Sequence, residues 1–194
     1  MKALSRIWPP PSLLARKVLC TAYVSAPFDS ESVSKFHGLH ASAAMRVISR
    51  HLKLGYRLDS IEKRGAGFRT DLIFTKSNVG SRMVEVKSAN KLREVHRIQA
   101  ALYPNDRYNE IVVSNRHQDL ILTPEYIEEA RGRAHLTREF LAHDPEKAAI
   151  KYTPHEDVCY TCANEACPFN GLHKQNEVDP PLDLPPYVDY DSDL

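Results

Sequence analysis

GFRTDLIF (67–74) and RMVEVKSANKLREVHRIQAALY (82–103) are the stretch on which the reading of this chain turns. Side chains alternate sides along an extended strand, so Phe68, Thr70, Leu72 and Phe74 share one face, and Arg69, Asp71 and Ile73 the other. SNVG at 77–80 has turn chemistry and predicts a hairpin with a slightly long loop. In the second strand Val84 and Val86 point one way while Met83, Glu85 and Lys87 point the other. Glu85 and Lys87 therefore emerge side by side.

A carboxylate in the middle of a valine-rich strand needs a partner, because an unpaired buried ion is costly. Asp71 and Glu85 on neighbouring strands repel each other unless a cation lies between them. A hard, oxygen-preferring divalent ion, Mg2+ or Mn2+, resolves that repulsion, and such ions organise phosphodiester cleavage. Lys87 then has a task, orienting an attacking water or offsetting charge on a phosphate. The competing reading is an exposed Glu85–Lys87 ion pair, a common and weak feature.

LREVHRIQAALY (92–103) predicts a helix with an apolar stripe of Leu92, Val95, Ile98 and Leu102. His96, Gln99 and Tyr103 form a polar stripe beside it. Upstream, Pro9 to Pro11 lead into a helix from Leu13 to about Tyr23, capped by Ser12 and containing Cys20. A longer helix begins between Ser30 and Ser34, runs to Lys53 and is stopped by Gly55. KFHGLHA (35–41) places His37 and His40 near its start. Strands are expected at Tyr56 to Lys63, in NEIVVSN and in DLILT, and a last helix from Pro124 to about His143. The expected fold class is α/β, a mixed central sheet flanked by helices.

At 194 residues, with 42% hydrophobic and 26% charged side chains, the chain suits one soluble domain. No apolar run approaches the roughly 20 residues of a membrane span. The apolar residues of the first 20 are interrupted by Ser5, Arg6 and three prolines, without a signal-peptide core, so the expected location is cytoplasmic, with no membrane partner. The net charge of +1 conceals an asymmetry: residues 174–194 hold one lysine and six acids, leaving +6 on residues 1–173. Residues 1–173 are read as the folded domain and 174–194 as an acidic, proline-rich, disordered tail. The basic body suits a polyanion, with Arg64, Arg69, Lys91, Arg93 and Arg97 as candidate phosphate contacts.

Four cysteines are present, Cys159, Cys162 and Cys167 in CYTCANEAC and Cys20 far upstream. Without a secretory signal, a disulfide framework is not expected. Three clustered thiols and one distant thiol instead offer four soft ligands, for zinc or an iron-sulfur cluster, that would clip the first helix to the end of the domain.

Asp71 followed by E-x-K at Glu85 and Lys87 resembles the core of the PD-(D/E)XK nuclease superfamily, which has a restriction-endonuclease-like fold. Gln99 and Tyr103 match the Q-x-x-x-Y helix of its RecB-like members, where both residues lie beside the active site. One N-terminal and three C-terminal cysteines around that core resemble the CRISPR-associated RecB-like nucleases of the Cas-four family, over residues from about 12 to 170. The resemblance implies catalytic roles for Asp71, Glu85, Lys87, Gln99 and Tyr103. It implies a metal held by Asp71, Glu85, the Val86 carbonyl and a helix histidine, His40 or His37. It implies an iron-sulfur cluster on Cys20, Cys159, Cys162 and Cys167, 4Fe-4S in most members, with 2Fe-2S and zinc as alternatives. The implied activity is Mg- or Mn-dependent exonucleolytic cleavage of single-stranded DNA, 5′ to 3′, beside CRISPR integrase subunits in spacer acquisition. A homo-oligomer is left open. The alternatives are a non-catalytic DNA-binding or assembly module, or a virus-encoded or repair endonuclease on the same fold.

Overall fold

A computed structural model describes residues 9–26, 30–65, 68–104 and 107–170, with the side chains of 30–36 and 63–69 outside the description. The acidic tail and the side chains of Arg64 and Arg69 lie outside the described residues.

Five strands form one mixed sheet in chain order: β1 (Arg57–Gly65), β2 (Phe68–Lys76), β3 (Gly80–Val86), β4 (Glu110–Ser114) and β5 (Asp119–Ile121). All pairs are antiparallel except β3 with β4, which is parallel. A parallel neighbour needs a crossover. Helix α3 (Glu94–Ala101) supplies it between β3 and β4. The β2–β3 turn depends on Gly80, whose φ is +91°, and a Cβ there would collide with the Asn109 side chain.

The alternation read from the sequence is the alternation that builds the core. Leu72, Phe74, Val84 and Val86 face Ala43, Val47 and Ile48 of helix α2 (Ser30–Lys53). Met83 and Val113 face the opposite layer, against Ala100 and Ala101 of α3 and Ile127 and Ala130 of helix α4 (Pro124–His143). Each fully buried side chain of this size contributes about 1.5–3 kcal/mol. β4 is buried on both faces from Ile111 to Ser114, as a strand sandwiched between helical layers must be. Arg50, near the end of α2, braces that helix to the β4–β5 turn, donating to Asp119 Oδ2 at 3.0 Å and to the Asn115 carbonyl at 2.9 Å.

Three local expectations need correction. Helix α1 spans Pro11–Leu19 with Pro10 before it and no side-chain cap, so Ser12 lies inside the helix; proline preset for the first turn starts it earlier. Cys20 adopts extended backbone (φ −150°, ψ 110°) and stands outside the helix. The stripe on α3 divides: Val95, Ile98 and Leu102 pack with α1, whereas Leu92 precedes the helix and joins the α4 side. Two short helices, α5 (Pro145–Ile150) and α6 (Glu156–Cys159), were not foreseen. Among the described residues no helix is long and apolar enough to cross a membrane.

Candidate functional site

Leu72 pairs with Val84 and Ile73 with Met83, and this register continued by one residue sets Asp71 across from Glu85. Both carboxylates lie toward the end of the sheet where β3 stops. Asp71 is fixed by the backbone, its Oδ2 accepting from the Val86 N–H at 2.8 Å. Val86, whose carbonyl the resemblance implies as a metal ligand, thus orients the aspartate through its N–H.

Glu85 is 3% exposed, and its two oxygens have different surroundings. Oε1 accepts from Lys87 Nζ at 2.6 Å and from Gln99 Nε2 at 2.7 Å. Oε2 is buried with no hydrogen-bond partner. Burial raises the Glu85 pKa and the Asp71 charge adds to the rise, against the opposing pull of Lys87. An orphaned carboxylate oxygen beside a second carboxylate is a site short of positive charge.

Helix α3 supplies the remaining contacts. The Gln99 carbonyl accepts from Lys87 Nζ at 3.0 Å, and its amide group donates both to Glu85 and, at 3.1 Å, to the Tyr103 hydroxyl. Gln99 therefore touches both members of the ion pair. Burial first, then the Glu85 charge, pushes the Tyr103 pKa up, so it remains a neutral phenol. His96 does not join this group: its Nδ1 turns back to accept from the Arg93 N–H at 3.2 Å. Burial and the charges of Lys87, Arg93 and Arg16 bring its pKa down to about 3, so the ring stays neutral.

From the other face of the sheet, α2 brings His40, with Nε2 3.7 Å from Asp71 Oδ1. The Asp71 carboxylate raises the His40 pKa above the ordinary imidazole value, outweighing partial burial. His37 is exposed and lines the rim of the same opening. That opening is a cleft of about 600 Å³ between α2 and the sheet, where Asp71, Glu85, Lys87 and His40 meet an apolar wall. Met45 and Ile61, 65% and 59% exposed, form that wall. Sequence reading missed both, since a lone methionine or isoleucine carries no signal of facing a cleft.

Of the candidate phosphate contacts, Lys91 is exposed. Arg93 is instead buried, paired with Asp157 and laid over the Tyr160 ring at 4.6 Å, so it is unavailable to a phosphate. Arg97 pairs with Glu94 at 3.1 Å and covers the Tyr126 ring.

The four cysteines converge on a second pocket, on the far side of α3. Cys20, Cys159, Cys162 and Cys167 line it together and all are free thiols. The backbone itself brings the two chain regions together, through a bridge between Ser25 and Cys162 and an Ala163 N–H to Val24 carbonyl bond of 2.9 Å. Asn164 Nδ2 also donates to the Ala22 carbonyl at 2.8 Å. Cys159 Sγ accepts from the His155 N–H at 3.3 Å, but burial, with the other three cysteines, raises its pKa. A cation is what ionises such thiols. The donor set, four soft sulfurs in one pocket, suits zinc or an iron-sulfur cluster. Among the described residues, no three His, Cys, Asp or Glu side chains are already gathered into a metal site.

Comparison with known protein families, with curated proteins and with solved structures finds no match for this chain.

Proposed function

We propose that the chain is a divalent-metal-dependent deoxyribonuclease of the RecB-like PD-(D/E)XK type. The observation that carries this reading is the orphaned Glu85 Oε2, buried next to Asp71 in a cleft that also receives Lys87 and His40. A buried carboxylate oxygen with no hydrogen-bond partner of its own, on a group whose other contacts are Lys87, Gln99 and Tyr103, is explained by a cation. Asp71, Glu85, His40 and the Val86 carbonyl would hold a Mg2+ or Mn2+ ion, which when bound acidifies a water and offsets phosphate charge.

The chain's own residues do the rest. Lys87 lines the cleft with its ammonium 2.6 Å from Glu85 Oε1, where it can orient the attacking water in line with the scissile bond. Gln99 keeps Glu85 and Lys87 in register by bonding to both, and Tyr103 keeps Gln99 in place. The apolar wall of Met45 and Ile61 suits the face of an unpaired base, which supports single-stranded DNA as substrate. The family resemblance adds the finer expectations: 5′-to-3′ exonucleolysis, an iron-sulfur cluster on the four cysteines, and a place beside CRISPR integrase subunits.

The deciding experiment is degradation of end-labelled single-stranded DNA with Mg2+ or Mn2+, comparing wild type with Glu85→Ala. Metal-dependent cleavage by the wild type, lost in the variant, is expected. DNA binding without cleavage by folded wild type under either metal would reassign the chain as a non-catalytic binding module.

A further inference from the structure

We infer that Asp157 is a positioning residue that couples the thiol pocket to the carboxylate site through helix α3. The starting point is a defect in the helix. Its N-cap residue is Arg93, a side chain with no hydrogen-bond acceptor, where a serine, threonine, aspartate or asparagine is preferred. Within the first turn His96 Nδ1 takes the Arg93 N–H and the His96 N–H returns to the Arg93 carbonyl, but the Glu94 N–H finds its acceptor outside the helix.

The missing acceptor comes from a distant part of the chain. Asp157 Oδ2 takes the Glu94 N–H at 2.6 Å, and Asp157 Oδ1 lies 3.6 Å from Arg93 Nη1, with both side chains 8% exposed. A carboxylate at this end of a helix also meets the positive pole of its dipole. Asp157 belongs to α6, the turn that ends in Cys159. His155 binds both parts of that turn, its Nδ1 accepting from the Asp157 N–H and its own N–H donating to Cys159 Sγ. Val158, between them, packs with Val95 and Ile98 of α3 and with Cys20.

At its other end α3 carries Gln99, which bonds to Glu85 and Lys87. A continuous set of contacts therefore runs from Cys159 through Asp157 and the first turn of α3 to Gln99 and the ion pair. The arrangement of the thiol pocket sets the position of Gln99. The catalytic consequence rests on the nuclease reading, whereas the link itself is measurable without any activity.

The test is backbone hydrogen exchange over residues 94–99 in the full chain, comparing wild type, Asp157→Ala, Asp157→Asn and Cys159→Ser. Asp157→Ala and Cys159→Ser should each speed exchange in that segment by about tenfold, the size of a lost charge-assisted hydrogen bond. Asp157→Asn, which keeps an acceptor for the Glu94 N–H but loses the charge that also faces Arg93, should fall between wild type and Asp157→Ala. On single-stranded DNA, Asp157→Ala should lower kcat with KM unchanged, and Asp157→Asn should restore part of the loss. Wild-type exchange in Asp157→Ala would overturn the inference, and so would a Cys159→Ser effect confined to residues 155–162. If Asp157→Ala fails to fold, Asp157→Ser, too short to reach Glu94, takes its place with the same expectations. A wild type without cleavage sinks the nuclease reading alone, since exchange still decides the link.

Discussion

The carboxylate cleft and the thiol pocket flank the same helix but are assembled on opposite principles. The cleft takes most of its groups from Asp71 to Tyr103, one hairpin and the helix after it, and strand alternation aims them. The thiol pocket joins residues around Cys20 to residues around Cys162 by backbone pairing across most of the chain. Its groups have no local periodicity to align them. The first site is strained by charge, with two carboxylates and an orphaned oxygen. The second gathers four thiols, and it ties the ends of the described chain together. On the proposed reading the cleft sets chemistry, and the pocket sets the stability of the frame that holds it.

That contrast predicts effects that separate cleanly. Asp71→Ala should lower metal-dependent cleavage by at least about a thousandfold, as loss of a metal-orienting carboxylate does, while the melting temperature changes little. Cleavage assays paired with calorimetry check it. If the thiol pocket holds a metal as proposed, stripping it should do the reverse, destabilising the fold and lowering Tm by roughly 2–4 °C for each kcal/mol lost in a chain of this size. Thermal melts before and after chelation measure that, and iron and zinc analysis identifies what was removed. An equal loss in Asp71→Ala on chelation shows that the destabilisation does not come from the cleft.

Gln99→Ala should reduce cleavage about 10- to 100-fold, the usual cost of removing a group that orients the residues at a metal. Steady-state kinetics should show the loss in kcat. The smallest effect concerns His40, whose folded pKa is raised by Asp71. A raised pKa means stability that is fully present below the unfolded value near 6.5 and lost as pH rises through the folded value. In metal-free protein His40→Gln should therefore destabilise at pH 5.5 and be nearly neutral at pH 8.5. The difference should be under about 1 kcal/mol, because the ring is one-third exposed and solvent screens the pair. Denaturant melts at the two pH values measure it.

Much of the cleft was legible beforehand. Glu85 and Lys87 were set side by side by strand parity, Asp71 by the hairpin, and Gln99 and Tyr103 by helical spacing, and the structure brings all five together. His96 was grouped with them by the same spacing and falls outside, because the open first turn of α3 draws its ring back to the Arg93 amide. Arg93, read as a surface cation, is buried for a related reason: it pairs with Asp157, 64 positions along. Helical spacing reports which side chains share a face, not which unmet backbone groups compete for them.

From the sequence alone came the alternation of β2 and β3, the turn at Gly80, the span of α2 and α4, and the pairing of an aspartate with an E-x-K strand. These rest on interactions between residues close in the chain, where backbone geometry leaves few choices. Only the tertiary structure decided that Glu85 keeps one oxygen without a partner, that His40 rather than His37 approaches Asp71, and that Asp157 caps α3. Those depend on which distant segments share the interior, and there the need to satisfy each buried polar group selects among arrangements that local pattern treats alike.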